Sequence, residues 1–422
     1  PSFATGIQAQ NIGDAMEDTL MAYIGRAEET IDISVYNINN YGLSNMSEAL
    51  NEAKDRGVTI RFITCGSTNH FGTRELDNEI PVLERPYFEN GGIMHNKFAV
   101  FDAHSTDPEK PWVWTGSTNL TADQVNVDAN NSIYIQDQTL AKAYQIEFEE
   151  MWGSSGDQPS HSNAKFGPDK KDNTPHEFII GEKRVESYFS PSDGTNQKLI
   201  QAMNTADSDL NVETMLITRY DLANAITDSW NRGAAVQVLT DFVQNEYSNI
   251  NSFLSNNLPA RKFIIEQNEE KQHHKLAIID ALDTSSNPQV ITGSHNWSNS
   301  ANDKNDENTL IIHSPQVANI YFQQFAARFK ANGGDLYTPA ASFDQPEKNI
   351  YPNPVKHHLF IQSHREIKSV RLFSLSGKKM KETLQFNASG TEMNLQSLLP
   401  GLYLLQVTLS NDKQKAFKII KQ

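Results

Sequence analysis

Cysteine is almost missing from this 422-residue chain. Cys65 stands alone, so no internal disulfide can form and stability has to come from packing. That thiol lies in the apolar run TIRFITC, where it is expected to be buried and inert. No run reaches the roughly 18 apolar residues that a membrane-spanning helix needs, which excludes one. Positive charge is also short: 36 Lys and Arg face 52 Asp and Glu, for a net charge of −16. The deficit is uneven. Residues 351–422 carry 11 basic against 4 acidic side chains, or +7, which leaves −23 on residues 1–350. So acidic a body repels polyanions at long range and does not suit a protein that coats nucleic acid through a broad basic face. A local cationic site for one phosphate remains compatible with it. The chain opens PSFATGIQAQ, with neither Met nor a basic leader, so any export signal is expected to be removed or to lie outside it.

What is present suffices for folded cores: 38% of residues are hydrophobic and 9% aromatic, against whole-chain disorder. Two segments read alike. TIDISVYNIN, LSNMSEALNEAKDRG and VTIRFIT follow one another from residue 30; DLNVETMLIT, YDLANAITDSWNRG and AAVQVLTD do so from residue 209. Each is strand, amphipathic helix and strand, with Gly57 and Gly233 placed to end the helix in a left-handed cap. The pattern is βαβ and implies a mostly parallel sheet. Arg56 and Arg232 are 176 positions apart, Gly116 and Gly293 177, and His95 and His273 178, so the unit is duplicated.

Chemistry concentrates at matching points of the two copies. The first contains His95, Lys97 and Asp102 in IMHNKFAVFD, then Gly116, Ser117 and Asn119 in VWTGSTNLT. The second contains His273, Lys275 and Asp280 in QHHKLAIID, then Gly293, Ser294 and Asn296 in VITGSHNWS. On a strand, residues two apart share a face, so each His points the same way as its Lys. The intervening His274 faces the other way and reads as structural or as part of the rim. Imidazole, ammonium, amide and hydroxyl groups from both copies would form a cationic, donor-rich pocket suited to a phosphate. Trp297 is placed either at the substrate mouth or in the core; Trp112 and Trp114 read as packing. NDKNDEN lacks the spacing of a calcium loop.

H-x-K-x4-D followed by GS-x-N, twice over, resembles the phospholipase D superfamily across roughly residues 5–330. ESYFSPSDG (186–194) is similar to its nuclease-like bacterial branch. The resemblance implies two α/β/α sandwich lobes with one active site at their junction, no cofactor and no metal. It also implies a covalent phosphohistidine; by analogy His95 is assigned as nucleophile and His273 as general acid and base, an order that the near-equivalence of the two copies leaves open. Lys97, Lys275, Asp102 and Asp280 complete the catalytic set, and Ser117, Asn119, Ser294 and Asn296 bind phosphate. Each imidazole needs an acceptor to orient it. Glu307 is the candidate in the second copy. In the first, the aligned position is Asn130 and the nearest acid is Asp128.

A break, NGGDLYTPAASFDQPEKN (332–349), ends the second copy, and after it the pattern changes. HLFIQS, SVRLFSLSG, GLYLLQVTLS and QKAFKIIKQ read as a small all-β sandwich. With IYPNPVKHHLFI and LQSLLPGLYLLQV, this end closely resembles the C-terminal sorting domain of the type IX secretion system of Bacteroidota. That implies passage through the secretion machinery, then release or surface attachment. The expected domains are a first lobe (1–152), a linker or surface excursion (153–175), a second lobe (176–335), a linker (336–348) and the sorting domain (349–422). The expected function is a secreted phosphodiesterase acting on phospholipid. Two alternatives stand beside it: a nuclease using the same chemistry on DNA or RNA, and a non-catalytic surface protein that holds phosphate.

Overall fold

Strand, helix and strand alternate at the start of both halves. A computed structural model describes residue 9 and residues 15–39, 44–66, 72–86, 91–336, 350–361, 367–374, 378–383, 391–409 and 414–422. Thr30–Val35 (β1) and Thr59–Cys65 (β2) pair in parallel across the helix Ser44–Asp55, and Val82–Arg85 (β3) joins them in parallel. Lys97–Phe101 (β4), Trp112–Gly116 (β5) and Ser132–Gln136 (β6) then run antiparallel. The order is β3-β2-β1-β4-β5-β6. The second half opens with a hairpin, Glu177–Ile180 (β7) and Lys183–Ser190 (β8). It then repeats the plan with Asp209–Thr214 (β9), Ala235–Thr240 (β10), Phe263–Ile265 (β11), Lys275–Ile279 (β12), Gln289–Gly293 (β13) and Glu307–His313 (β14). Its order is β11-β10-β9-β12-β13-β14-β8-β7.

The sheets are therefore mixed rather than mostly parallel. Helices separate β1 from β2 and β9 from β10, which allows a parallel crossover. The short connections from β4 to β5 and from β12 to β13 hold no helix, and such links return the chain antiparallel. Gly57 and Gly233 take positive φ, +95° and +102°, at the helix ends where that cap was expected.

Two apolar clusters serve one half each, around Phe62 and Trp114 in the first and Val212 and Trp297 in the second. Trp297 is thus a core residue, and the Cys65 thiol is buried. A third cluster joins the halves: Phe98, Tyr144 and Phe148 pack with Phe178, Phe189 and Leu310. Phe98, Tyr144 and Phe189 meet edge to face at centroid distances of 5.0 to 6.4 Å. Each buried aromatic contributes roughly 1.5–3 kcal/mol, so the shared core holds the two sheets at a fixed separation.

The segment 153–175, expected as a linker or surface excursion, is exposed along much of its length but anchored inside at four points. Phe166, Gly167, Lys170 and Thr174 are buried, and Lys170 reaches Glu147 and Asp306. The two described compact units are Pro1–Tyr337 and Thr338–Gln422. The expected linker 336–348 lies, apart from residue 336, outside the described residues. The second unit has a three-stranded and a four-stranded antiparallel sheet, whose inner faces share Leu359, Ile361, Met393, Val370, Leu405 and Ile419 as one core. It is a small β sandwich. No described helix is long and apolar enough to cross a membrane.

Candidate active site at the junction of the two halves

β4 and β12 each begin two residues after a histidine, so alternation turns His95 with Lys97 and His273 with Lys275 toward one site. Lys97 Nζ donates to the His95 carbonyl at 2.8 Å, and Lys275 Nζ to the His273 carbonyl at 2.7 Å. All four side chains are buried. Burial pushes Lys97 down to about 7; burial and then Lys97 hold Lys275 well below its ordinary value. Burial also brings His95 to about 4, with Lys97 and Lys275 adding to the shift. His273 is held well below 6.5 by burial, then by Lys275, Lys97 and His95. Each half's groups thus lie in the field of the other's.

The orienting groups are exchanged between the halves. Glu307, expected to serve its own half, sits 2.6 Å from Nδ1 of His95. Nδ1 of His273 lies 2.9 Å from Oδ1 of Asn130. Asn130 Nδ2 donates to the Gln124 carbonyl at 2.9 Å, which leaves Oδ1 as the atom facing the ring. Both imidazoles therefore carry hydrogen on Nδ1 and a lone pair on Nε2. Two short parallel bridges cause the exchange: Met94 pairs with Asp306, and Ala129 with Gln272. In each, the residue before a histidine pairs with the residue before its partner. Asp128 touches neither imidazole. It accepts from Gln124 Nε2 and from the Lys271 amide, 3.0 Å away.

Other expected members do different work. Asp102 and Asp280 lie at the far ends of β4 and β12, roughly 20 Å along the chain from the histidines at about 3.3 Å per residue. Asp102 accepts from the amides of Glu28, Glu29 and Thr30; Asp280 accepts from those of Asp207, Ser208 and Asp209. Both have positive φ, +52° and +53°. They close the turn into β1 and β9 and touch no reacting group. Ser117 and Ser294 are wholly buried rather than open to a phosphate. Ser117 Oγ donates to Asn130 Oδ1 and accepts from the Asn131 amide; Ser294 Oγ accepts from the Asn308 amide. Before them, Gly116 and Gly293 leave no room for a side chain: a Cβ would stand 2.1 Å from the Asn131 carbonyl oxygen and 2.2 Å from that of Asn308. Asn119 and Asn296 each keep a buried side-chain oxygen that accepts no hydrogen bond from a described residue.

Three residues absent from the expected set complete the surroundings. Asn308 Oδ1 accepts from the Lys97 amide, and Asn131 Nδ2 reaches Nδ1 of His274 at 3.0 Å. They are 177 positions apart, so the repeat offset would have found them. His295, the variable residue of the second GS-x-N, is buried, pushed to about 4, and bonded to Ser190 Oγ at 2.9 Å.

Known proteins place this geometry. The family model described as "Cardiolipin synthase, PLD-like domain" matches residues 20–152 and 199–329, and the secretion system C-terminal sorting domain matches 349–422. A mitochondrial cardiolipin hydrolase of Chlamydomonas reinhardtii is 25% identical over 34% of this chain and 62% of its own length. A phospholipase D of Rickettsia bellii (strain RML369-C) is 26% identical over 36% of this chain and 73% of its own. The chain thus spans about two thirds of these relatives. The crystal structure of a phosphatidylserine synthase from Haemophilus influenzae Rd KW20 shares the fold, with a TM-score of 0.56 at 12% identity over 76% of this chain and 84% of that one. The tail marks the protein for the cell surface or the exterior. Two PLD-like repeats over residues 20–329, each supplying a histidine, a lysine and the other's orienting side chain, show that the chain belongs to the phospholipase D superfamily.

Proposed function

We propose that the protein is a phosphodiesterase that works through a phosphohistidine, with phospholipid as its substrate class. The observation that carries the reading is the pair of imidazoles with Nδ1 engaged and Nε2 left as a lone pair, in the field of two buried lysines. A bound phosphodiester brings the negative charge that these cations lack. With that negative charge in place His273 takes up a proton on Nε2; His95 Nε2 attacks phosphorus, the P–O bond to the leaving alcohol breaks, and His273 delivers the acquired proton to that oxygen. His273 then takes a proton from water, whose oxygen displaces His95 from phosphorus. Lys97, Lys275, Asn119 and Asn296 hold the phosphoryl oxygens.

The unlike partners support this division of labour. As His95 bonds to phosphorus its ring becomes cationic, and the Glu307 carboxylate at Nδ1 offsets that charge. Asn130 is neutral, so it leaves protonated His273 the stronger acid, fit to protonate an alkoxide. Phospholipid is favoured by the cardiolipin hydrolase and phospholipase D relatives and by the charge of −23 on residues 1–350. Glu269 and Glu270, exposed just before His273, add repulsion against a polyanion.

The test is turnover by chelator-treated protein on phosphatidylcholine vesicles, single-stranded DNA and bis(p-nitrophenyl) phosphate. Repeated release of choline and of nitrophenol is expected, with both lost in His95→Ala, and with His273→Ala releasing no choline and no nitrophenol beyond a single equivalent. Cleavage of DNA alone, falling steeply with salt, would transfer the reading to a nuclease. Binding without turnover on all three would leave only a phosphate-holding protein.

A further inference from the structure

Behind the histidine–glutamate pair lies a buried chain of four charges: Glu147, Lys170, Asp306 and Arg85, all essentially inaccessible to solvent. Arg85 Nη1 donates to Asp306 Oδ2 at 2.5 Å. On the other carboxylate oxygen, the Gly167 amide donates at 2.6 Å and Lys170 Nζ stands at 3.4 Å. Lys170 also bonds Glu147, on the helix Gln138–Trp152. Phe166 lies under the Arg85 guanidinium, 5.6 Å from its carbon. Gly167 has φ of +54°, and a Cβ there would come 2.6 Å from the Lys304 carbonyl oxygen. The segment joining the two halves is therefore fitted to this spot.

Asp306 immediately precedes Glu307. Its carbonyl accepts from the His95 amide at 2.9 Å, and its amide donates to the Ile93 carbonyl at 3.0 Å. Its side chain faces the charged cluster while its backbone aligns the strand that delivers Glu307. We propose that the segment 153–175 acts through Gly167 and Lys170 as a positioning element, fixing Asp306 and so holding the Glu307 carboxylate against His95. The inference rests on the proposed role of His95.

The repeat supplies an internal comparison. At the matching bridge the place of Asp306 is taken by Ala129, and the imidazole partner that follows is the neutral Asn130. The ionic cluster stands only behind the partner that bears charge. A carboxylate has to be held at one distance and angle for its charge to act on the ring, and other groups compete for it here. Lys97 and His295 lie within its field beside His95. Anchoring the preceding residue at both oxygens removes that freedom.

The experiment compares full-length wild type, Lys170→Met, Lys170→Arg and Lys165→Ala, the last an exposed residue of the same segment. Two readouts are taken: kcat and KM on bis(p-nitrophenyl) phosphate, and the proton resonance of His95 Nδ1–H, assigned by its loss in His95→Ala. Lys170→Met is expected to lower kcat at least tenfold at constant KM and to move the resonance upfield. Lys170→Arg is expected to restore much of both, and Lys165→Ala to change neither. If Lys170→Met does not fold, Glu147→Gln, which keeps an acceptor for Lys170, should show the same loss to a smaller degree. An unmoved resonance with unchanged kcat in the folded variant overturns the proposal. If wild type turns over no substrate, the enzyme reading fails, yet the resonance still decides whether the segment positions Glu307.

Discussion

Glu307 accepts the Nδ1 hydrogen of His95 at 2.6 Å although 212 positions separate them, whereas the matching contact of His273 is with an amide, Asn130. The halves have exchanged their orienting groups, and the two exchanged groups differ in charge. On the proposed mechanism, that inequality gives two near-equivalent histidines different tasks.

Neutralising the acidic partner separates the tasks. Glu307→Gln is expected to lower kcat by about 10²–10⁴-fold, the range lost when a proton-transfer group is disabled, with KM little changed. Asn130→Asp should instead raise the pKa of His273 and shift its limb of the pH–rate profile to higher pH. Steady-state kinetics across pH on bis(p-nitrophenyl) phosphate checks both.

Asp102→Ala and Asp280→Ala should damage stability rather than chemistry. Each removes a carboxylate that accepts several backbone amides at a strand entry, and hydrogen bonds to a charged group are worth about 1.5–3 kcal/mol apiece. A loss of several kcal/mol by urea unfolding is expected, with kcat per folded molecule unchanged.

His274 provides a pH dependence with a definite sign. Burial, helped by Arg328 and Lys275, lowers it from 6.5 to about 3, and Glu213 at 4.0 Å does not offset this. Between these values the unfolded chain binds a proton that the folded chain refuses. Stability is therefore lost as pH falls from about 6.5 toward 3, by roughly 2 kcal/mol at about pH 5. Denaturant unfolding of His274→Asn at two pH values should lack this increment, whatever its own stability.

Lys97 sets the alkaline limit. Pushed down to about 7 by burial, it loses charge in the free protein as pH rises through that value, and with it attraction for the phosphodiester anion. kcat/KM should therefore fall above about pH 7. Lys97→Arg, which stays charged, should move that fall upward if it folds.

Much of this was legible in the residues. The βαβ periodicity, the glycine caps and the three matching offsets located two halves, and alternation alone turned each histidine with its lysine. What escaped was of two kinds. The motif aspartates and serines share a signature with catalytic residues because a turn that recurs in both halves selects them as strictly as chemistry does; only their hydrogen-bond partners reveal it. The exchange of Glu307 and Asn130 was hidden because proximity in sequence pointed each to its own half, while the bridges at Met94 and Ala129 join different halves. Segment 153–175 read as a linker from its Gly, Ser and Pro content. Its buried anchors, Phe166, Gly167 and Lys170, are three residues in a polar stretch and have no periodicity to mark them.

One measurement tests the central claim most directly. His273→Ala is mixed with bis(p-nitrophenyl) phosphate in a single turnover, quenched in base, digested and mapped by mass spectrometry. Nitrophenolate leaves without a proton, so attack proceeds while hydrolysis of the adduct lacks its base. The account predicts a phosphoryl group accumulating on His95. A phosphoryl group on another residue, or turnover at the wild-type rate with no adduct, would contradict it.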